Sequence, residues 1–250
     1  MTDNIITGLH AVLAALTNNP EQVEEIWISE ARGDKRIGEV IAAARAARVK
    51  VHQSPKAALD RLADGVRHQG VIARLREVAR RAEPQLESFL ADLPAAPLLL
   101  VLDGVQDPHN LGACLRSADA AGAHGVIVPR EHTAPLSAVA RRAASGAAEY
   151  VPVFQVVNLA RCLRQLKDAG LWLVGATHDA DIDIYRADLK GPLALVLGGE
   201  GKGLRRLTRE HCDVLARIPM AGSVSSLNVS VAAGICLFEA VRQRQGAKPS

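Results

Sequence analysis

Two apolar periods alternate along residues 1–76. The segments "GLHAVLAAL", "RIGEVIAAARAARV" and "PKAALDRLA" space their apolar residues as helices do, whereas "EIWIS", "KVHQS" and "GVIARL" are short, strand-like runs. Together they predict a small α/β unit. Residues 77–97 begin charged, then place Leu86, Phe89, Leu90 and Leu93 at helical spacing before a Pro-Ala-Ala-Pro stop. This predicts a linker carrying one short packed helix.

From Leu98 the pattern changes to nearly continuous apolar runs, "LLLVLD", "GVIV", "YVPVF", "LWLVG", "LALVL" and "VLARI", separated by helical stretches. Strands apolar on both faces belong to a parallel sheet covered on both sides, so residues 98–246 predict a larger α/β domain. Asn110 is placed as the cap of a helix ending near Gly122, with Leu111, Leu115 and Ala118 on its core face; Asn158 caps another ending near Gly170. A C-terminal helix, apolar on nearly every side through Phe238, is predicted to be buried. Ligands of open α/β sheets sit beyond the carboxyl ends of the strands, so the loops after Asp103, Gly175, Leu197 and Ile218 are where a site is expected.

Composition narrows the function classes. A chain of 250 residues that is 48% hydrophobic buries a sizeable core without staples. Cys114, Cys162, Cys212 and Cys236 are widely separated and form no C-x-x-C pair, which predicts reduced thiols. No apolar run approaches the length of a membrane helix, and "MTDNIITGLHAV" lacks the basic start and apolar core of a signal peptide, so a cytoplasmic, membrane-free protein is expected. Thirty basic against 27 acidic residues leave only +3, too little to announce a nucleic-acid partner. The eight histidines form no ligand cluster, and no metal is expected.

Three segments carry candidate chemistry. In "LDGVQDPHNLGACLRSADAAG", Arg116 lies beside the apolar stripe; local sequence favours a solvated arginine there and a plain cap at Asn110. "LALVLGGEGKGLRRLT" is a buried strand followed by glycines at 198, 199, 201 and 203, the form of a loop that a ligand approaches closely. It is no Walker loop, since Leu204 stands where lysine is required and Glu200 would repel a triphosphate, and its glycine spacing is wrong for a dinucleotide fingerprint. In "ARIPMAGSVSSLNVSVAAGICLFEAVRQR", Ser225, Ser226 and Asn228 either cap a helix or converge on a site.

In this order and at this spacing, the three segments resemble the signature motifs of the SpoU (TrmH-type) RNA ribose methyltransferases. With "GLHAVLAAL" and "HQGVIARL", the resemblance runs from about Ile5 to Arg244 and is greatest to the bacterial 23S rRNA guanosine-2′-O-methylating subgroup. It implies a SPOUT fold, an α/β domain whose C-terminal segment is threaded into a deep trefoil knot, in a homodimer, preceded by an L30e-like RNA-binding domain. It implies S-adenosyl-L-methionine as methyl donor, 23S rRNA as partner, and a guanosine of the peptidyl-transferase region as target. Carried over by motif position, Asn110, Arg116, Glu200, Ser226 and Asn228 form the catalytic group. Thr177, Gly198, Gly199, Ile218, Met220 and Leu227 bind the donor, largely through main-chain groups.

A guanidinium is always protonated and has no lone pair to act as a base. Arg116 is therefore expected to stabilise the developing alkoxide, with Glu200 orienting Arg116 or the ribose and Asn110, Ser226 and Asn228 fixing geometry. Transfer RNA as substrate and a non-catalytic ribosome-assembly factor remain alternatives; intact Asn110, Arg116, Glu200 and Asn228 weigh against the latter. A nucleotide-dependent oxidoreductase is disfavoured by the glycine spacing.

Overall fold

The computed structural model describes residues 5–31, 34–75, 83–201 and 203–246. Two sheets organise the chain. The smaller contains β1 (Ile5–Thr7), β2 (Val23–Ser29), β3 (Lys50–Ser54) and β4 (Val71–Leu75), in the order β1-β4-β2-β3. β4 runs antiparallel to both neighbours, while β2 and β3 are parallel. α1 (Leu9–Asn18) and α2 (Lys35–Ala46) bury Val12, Leu16, Ile37 and Val40 against one face, and α3 (Lys56–Leu62) packs Leu59 against Ile72. Every element predicted from periodicity in this segment forms; β1 was not predicted.

After the linker helix α4 (Glu83–Ala91) comes a seven-stranded sheet built from β5 (Leu98–Asp103), β6 (Gly125–Pro129), β7 (Val153–Val156), β8 (Trp172–Ala176), β9 (Ile182–Asp183), β10 (Leu193–Gly198) and β11 (Val214–Arg217). Its order is β7-β6-β5-β10-β8-β11-β9, and every neighbouring pair is parallel. The period of two explains the apolar runs. Leu98, Leu100 and Leu102 of β5 join one core, and Leu99 and Val101 join the core on the opposite face. Four further helices, α5 (Pro108–Ala120), α6 (Ala138–Ala143), α7 (Leu159–Asp168) and α8 (Arg206–His211), connect the strands, and α9 (Val229–Gln245) closes the described chain.

α5 and α9 supply Leu111, Cys114, Leu115, Ala233, Cys236 and Leu237 to the first core. α7 supplies Leu159, Cys162, Leu163 and Leu166 to the second, the i, i+3, i+4, i+7 stripe of an amphipathic helix. The linker helix belongs there too: Leu86 is fully buried, and Phe89 lies 4.7 Å from Phe154, centroid to centroid. Residues 76–82, most of which fall in the first half of the expected linker, lie outside the described residues.

Two expectations need correction. The cap of α5 is Asp107, whose carboxylate accepts from His109 N at 2.8 Å with Pro108 at the first helical position, so Asn110 lies within the first turn of the helix. α9 is buried on one side only, because α5 and the sheet meet one face while Val231 and Phe238 stay half exposed on another. Asn158 does cap α7, accepting from Arg161 N at 3.0 Å.

α5 and α6 meet at Gly112, where a Cβ would stand 2.6 Å from Ala143 Cβ and overlap the Ala140 carbonyl. Gly112→Ala is expected to lower unfolding free energy by about 1–3 kcal/mol, measured by urea denaturation; unchanged stability would show that α6 yields freely.

Candidate active site at the carboxyl edge of the parallel sheet

Three adjacent strands, β8, β10 and β11, end at one edge, and the loops that leave them surround a cavity of about 290 Å³. Ala176, Thr177 and His178 line it from the first loop, Leu197 to Gly201 with Gly203 and Leu204 from the second, and Ile218, Met220 and Ser225 to Leu227 from the third. All six positions expected to bind the donor, Thr177, Gly198, Gly199, Ile218, Met220 and Leu227, are therefore on one wall system.

The glycine turn is shaped by close backbone approach. Gly199 N donates to Asp103 O at 2.8 Å, and Gly203 N donates back to Gly199 O at 3.1 Å. A Cβ on Gly199 would lie 2.8 Å from Gly104 C, and one on Gly198 would overlap the Gly203 backbone. Gly201 and Gly203 have φ of +77° and +61°, a region that costs other residues energy. The result is a cradle of bare main chain at Gly198, Gly199, Gly201 and Gly203 against the apolar surface of Leu197, Leu204 and Val229. Such a surface offers main-chain donors and acceptors to a flat, polar ligand, which fits a nucleoside-bearing donor.

At the rim, three of the expected catalytic side chains form a directed chain. Asn228 Nδ2 donates to Asn110 Oδ1 at 3.0 Å, and Asn110 Nδ2 donates to a Glu200 carboxylate oxygen. Asn228 Oδ1 is occupied by Ser230 N at 2.9 Å and Ser230 Oγ at 2.6 Å, so Asn228 caps α9 and orients Asn110 at once. Both amides thus have their oxygen and nitrogen ends fixed by partners. Ser226 lines the cavity beside them.

Arg116 is placed differently. It is exposed on α5, does not line the cavity, and makes no hydrogen bond or ion pair among the described residues. Glu200 is paired with Asn110; of the two groups it was expected to orient, Arg116 or the ribose, Arg116 is not among its partners in this chain. Sequence reasoning also missed a clamp on the cavity wall. Arg209 Nη1 and Nη2 donate to the two Asp179 carboxylate oxygens at 3.0 Å each, Arg209 Nη1 also reaches Thr177 Oγ1 at 3.3 Å, and Thr177 Oγ1 donates to Asp179 at 2.5 Å. The Arg209 fork, then the Thr177 hydroxyl, hold the Asp179 carboxyl well below the usual carboxylate range. No local pattern marks these residues, since Asp179 and Arg209 are 30 positions apart.

Burial pushes the thiols of Cys114, Cys212 and Cys236 up to about 12; the Glu200 charge adds to the effect at Cys114, and Asp213 at Cys212. Among the described residues no three His, Cys, Asp or Glu side chains could hold a metal ion, and no helix is long and apolar enough to cross a membrane.

Comparison with known proteins gives concordant matches. Residues 97–238 match the SpoU rRNA Methylase family, and residues 5–80 match the RNA 2′-O ribose methyltransferase substrate binding family. The chain is 54% identical over 242 residues to the 23S rRNA (guanosine-2′-O-)-methyltransferase RlmB of Shewanella oneidensis, covering 97% of this chain and 98% of that protein. It is also 54% identical over 240 residues to the RlmB of Escherichia coli, covering 96% and 98%. Among solved structures, the SpoU methyltransferase AviRb from Streptomyces viridochromogenes in complex with the cofactor AdoMet superposes with a TM-score of 0.82 at 27% identity, covering 97% of this chain and 91% of that one.

Since the thiolate is the reactive form, Cys114, Cys212 and Cys236 are expected to resist iodoacetamide at pH 8 while the protein is folded and to react on unfolding. Mass spectrometry reads the outcome, and rapid native labelling of Cys114 would show that the α5 core opens.

Proposed function

As the chain belongs to the SpoU rRNA methylase family, we propose that it transfers a methyl group from S-adenosylmethionine to the ribose 2′-hydroxyl of a guanosine in the peptidyl-transferase region of 23S rRNA. The observation that carries this reading is the cavity that gathers all six donor positions, with the Asn228–Asn110–Glu200 chain at its rim. Residues 98–246 perform the chemistry, with their C-terminal segment threaded into a deep trefoil knot. Residues 1–76 hold the RNA, in keeping with the substrate-binding match, and residues 77–97 link the two. The enzyme works in the cytoplasm.

S-adenosylmethionine supplies an electrophilic methyl group on a sulfonium, and the ribose oxygen that receives it must shed a proton. The protein's task is alignment of two reactants and stabilisation of that oxygen. The glycine cradle, Thr177, Ile218, Met220 and Leu227 hold the donor. Asn110, fixed between a carboxylate and an amide, and Ser226 present polar atoms to the ribose, and Glu200 orients Asn110. Arg116⁺ stabilises the developing alkoxide.

Because Arg116 lies outside this chain's own cavity, it completes the site of a second copy. Three features support a homodimer through this face. Arg116 is exposed, Val231 and Phe238 are 50% and 49% exposed, and Gly234, between them on the same helix stripe, stands 3.7 Å by its would-be Cβ from Ser117 Oγ. The exposed apolar pair and the arginine thus flank one α5–α9 seam.

The reaction is tested with labelled S-adenosylmethionine and unmodified 23S rRNA or tRNA. Label on one 23S guanosine, with alkaline cleavage blocked 3′ to it, is expected; label on a base, or on tRNA alone, would overturn the assignment. Arg116→Lys keeps the charge but loses the planar fork, and turnover is expected to fall by about 10²-fold; near-parent turnover would remove the geometric role. Mixing Arg116→Ala with Glu200→Ala subunits is expected to restore activity through hybrid dimers that keep one intact site, and no recovery would show that each chain is self-sufficient.

A further inference from the structure

Asp103 ends β5, the strand beside β10, and its side chain is wholly buried. It is neither among the residues that line the cavity nor part of the Asn228–Asn110–Glu200 chain. Its carboxylate is nevertheless fully engaged across 102 residues of chain: Arg205 N donates to Oδ2 at 3.1 Å, Arg205 Nε to Oδ1 at 2.6 Å, and Arg205 Nη2 lies 2.5 Å from Oδ1. The carbonyl of the same residue takes Gly199 N at 2.8 Å. One residue therefore grips the glycine turn at both ends, by its backbone where the turn begins and by its carboxylate where the turn runs into α8.

We infer that the Asp103–Arg205 pair is a latch that sets the shape of the glycine turn and so the affinity for the methyl donor. Burying a carboxylate is costly, and a well-packed apolar pair would serve the core at least as well. A planar guanidinium fork does what an apolar pair does not: it fixes direction and register between two points. Between those points lie Gly199, which tolerates no Cβ against Gly104, and Gly203, whose amide returns to Gly199 O. Loosening the exit of the turn at Arg205 lets Gly203 drift and opens the cradle. Asp103 and Arg205 act through this backbone and are positioning residues. Glu200 has its own anchor in Asn110, so the latch bears on donor binding more than on the chemical step.

The inference rests on the donor lying in this cavity, and the parent protein's affinity for S-adenosylhomocysteine, measured by calorimetry, tests that premise separately. Asp103→Asn and Arg205→Lys, assayed as full-length proteins, are expected to raise the dissociation constant for S-adenosylhomocysteine and the KM for S-adenosylmethionine by about tenfold or more, with kcat at saturating donor within about threefold of the parent. Amide hydrogen exchange at Gly199 and Gly203 is expected to quicken in both variants. A role confined to overall stability predicts lowered melting temperatures with unchanged affinity, and that result would overturn the latch. So would an equal loss in kcat with KM unaltered. Arg205→Lys leaves a cation beside the carboxylate on a half-exposed side chain; its failure to fold would show that the pair serves the whole domain and would also overturn the proposal.

Discussion

The site depends on how closely two parallel strands can run past their own ends. β5 and β10 stay in register to Gly198 opposite Asp103, and one residue later the Gly199 amide still bonds to Asp103 O. Side chains at 198 or 199 would collide with backbone, so the pairing of two apolar strands dictates a turn that begins with bare main chain. That turn is the cavity's floor. The cavity's surface is a consequence of sheet geometry, which is why residues as ordinary as Ile218 and Leu227 line it.

Around this constraint the rest of the domain places and orients polar side chains. α5 carries Asn110 in its first turn and Arg116 one and a half turns on, so one helix presents polar groups to two different places. α9 begins with Asn228, which caps its own helix and steers Asn110, and ends with Arg244, whose guanidinium donates to the carbonyls of Ala96, Pro97, Leu189 and Gly191. The final helix is thereby fixed both to the rim of the cavity and to the amino ends of β5 and β10. The smaller sheet meets this domain through modest contacts: Asn19 donates to Glu149 O at 2.7 Å, next to the buried Arg141–Glu149 ion pair.

Elements that bury a whole periodic face were legible in the sequence. The strands from Leu98 onward form as expected because both faces are covered, and α7 forms because its stripe and its Asn158 cap agree. Asn110 was misplaced as a cap because Asp107 followed by proline is the better start, and asparagine inside a first turn looks the same as asparagine before one. α9 was expected to be buried all round, since apolar content does not reveal which neighbour covers a face; Val231 and Phe238 are left half exposed within the described chain. The motif residues themselves were found through resemblance. Their pairing was not, because Asn110 to Glu200 and Asn110 to Asn228 span 90 and 118 positions, and the Arg209–Asp179 clamp spans 30.

The most direct test of the account is a map of backbone amide chemical shifts on titration with S-adenosylhomocysteine. The glycine turn and its two neighbouring loops should respond, with the largest changes at Thr177, Gly198, Gly199, Ile218 and Leu227, while the smaller sheet stays unmoved. Changes centred on β1 to β4, or none at the glycine turn, would contradict a donor site built from the carboxyl edge of the parallel sheet.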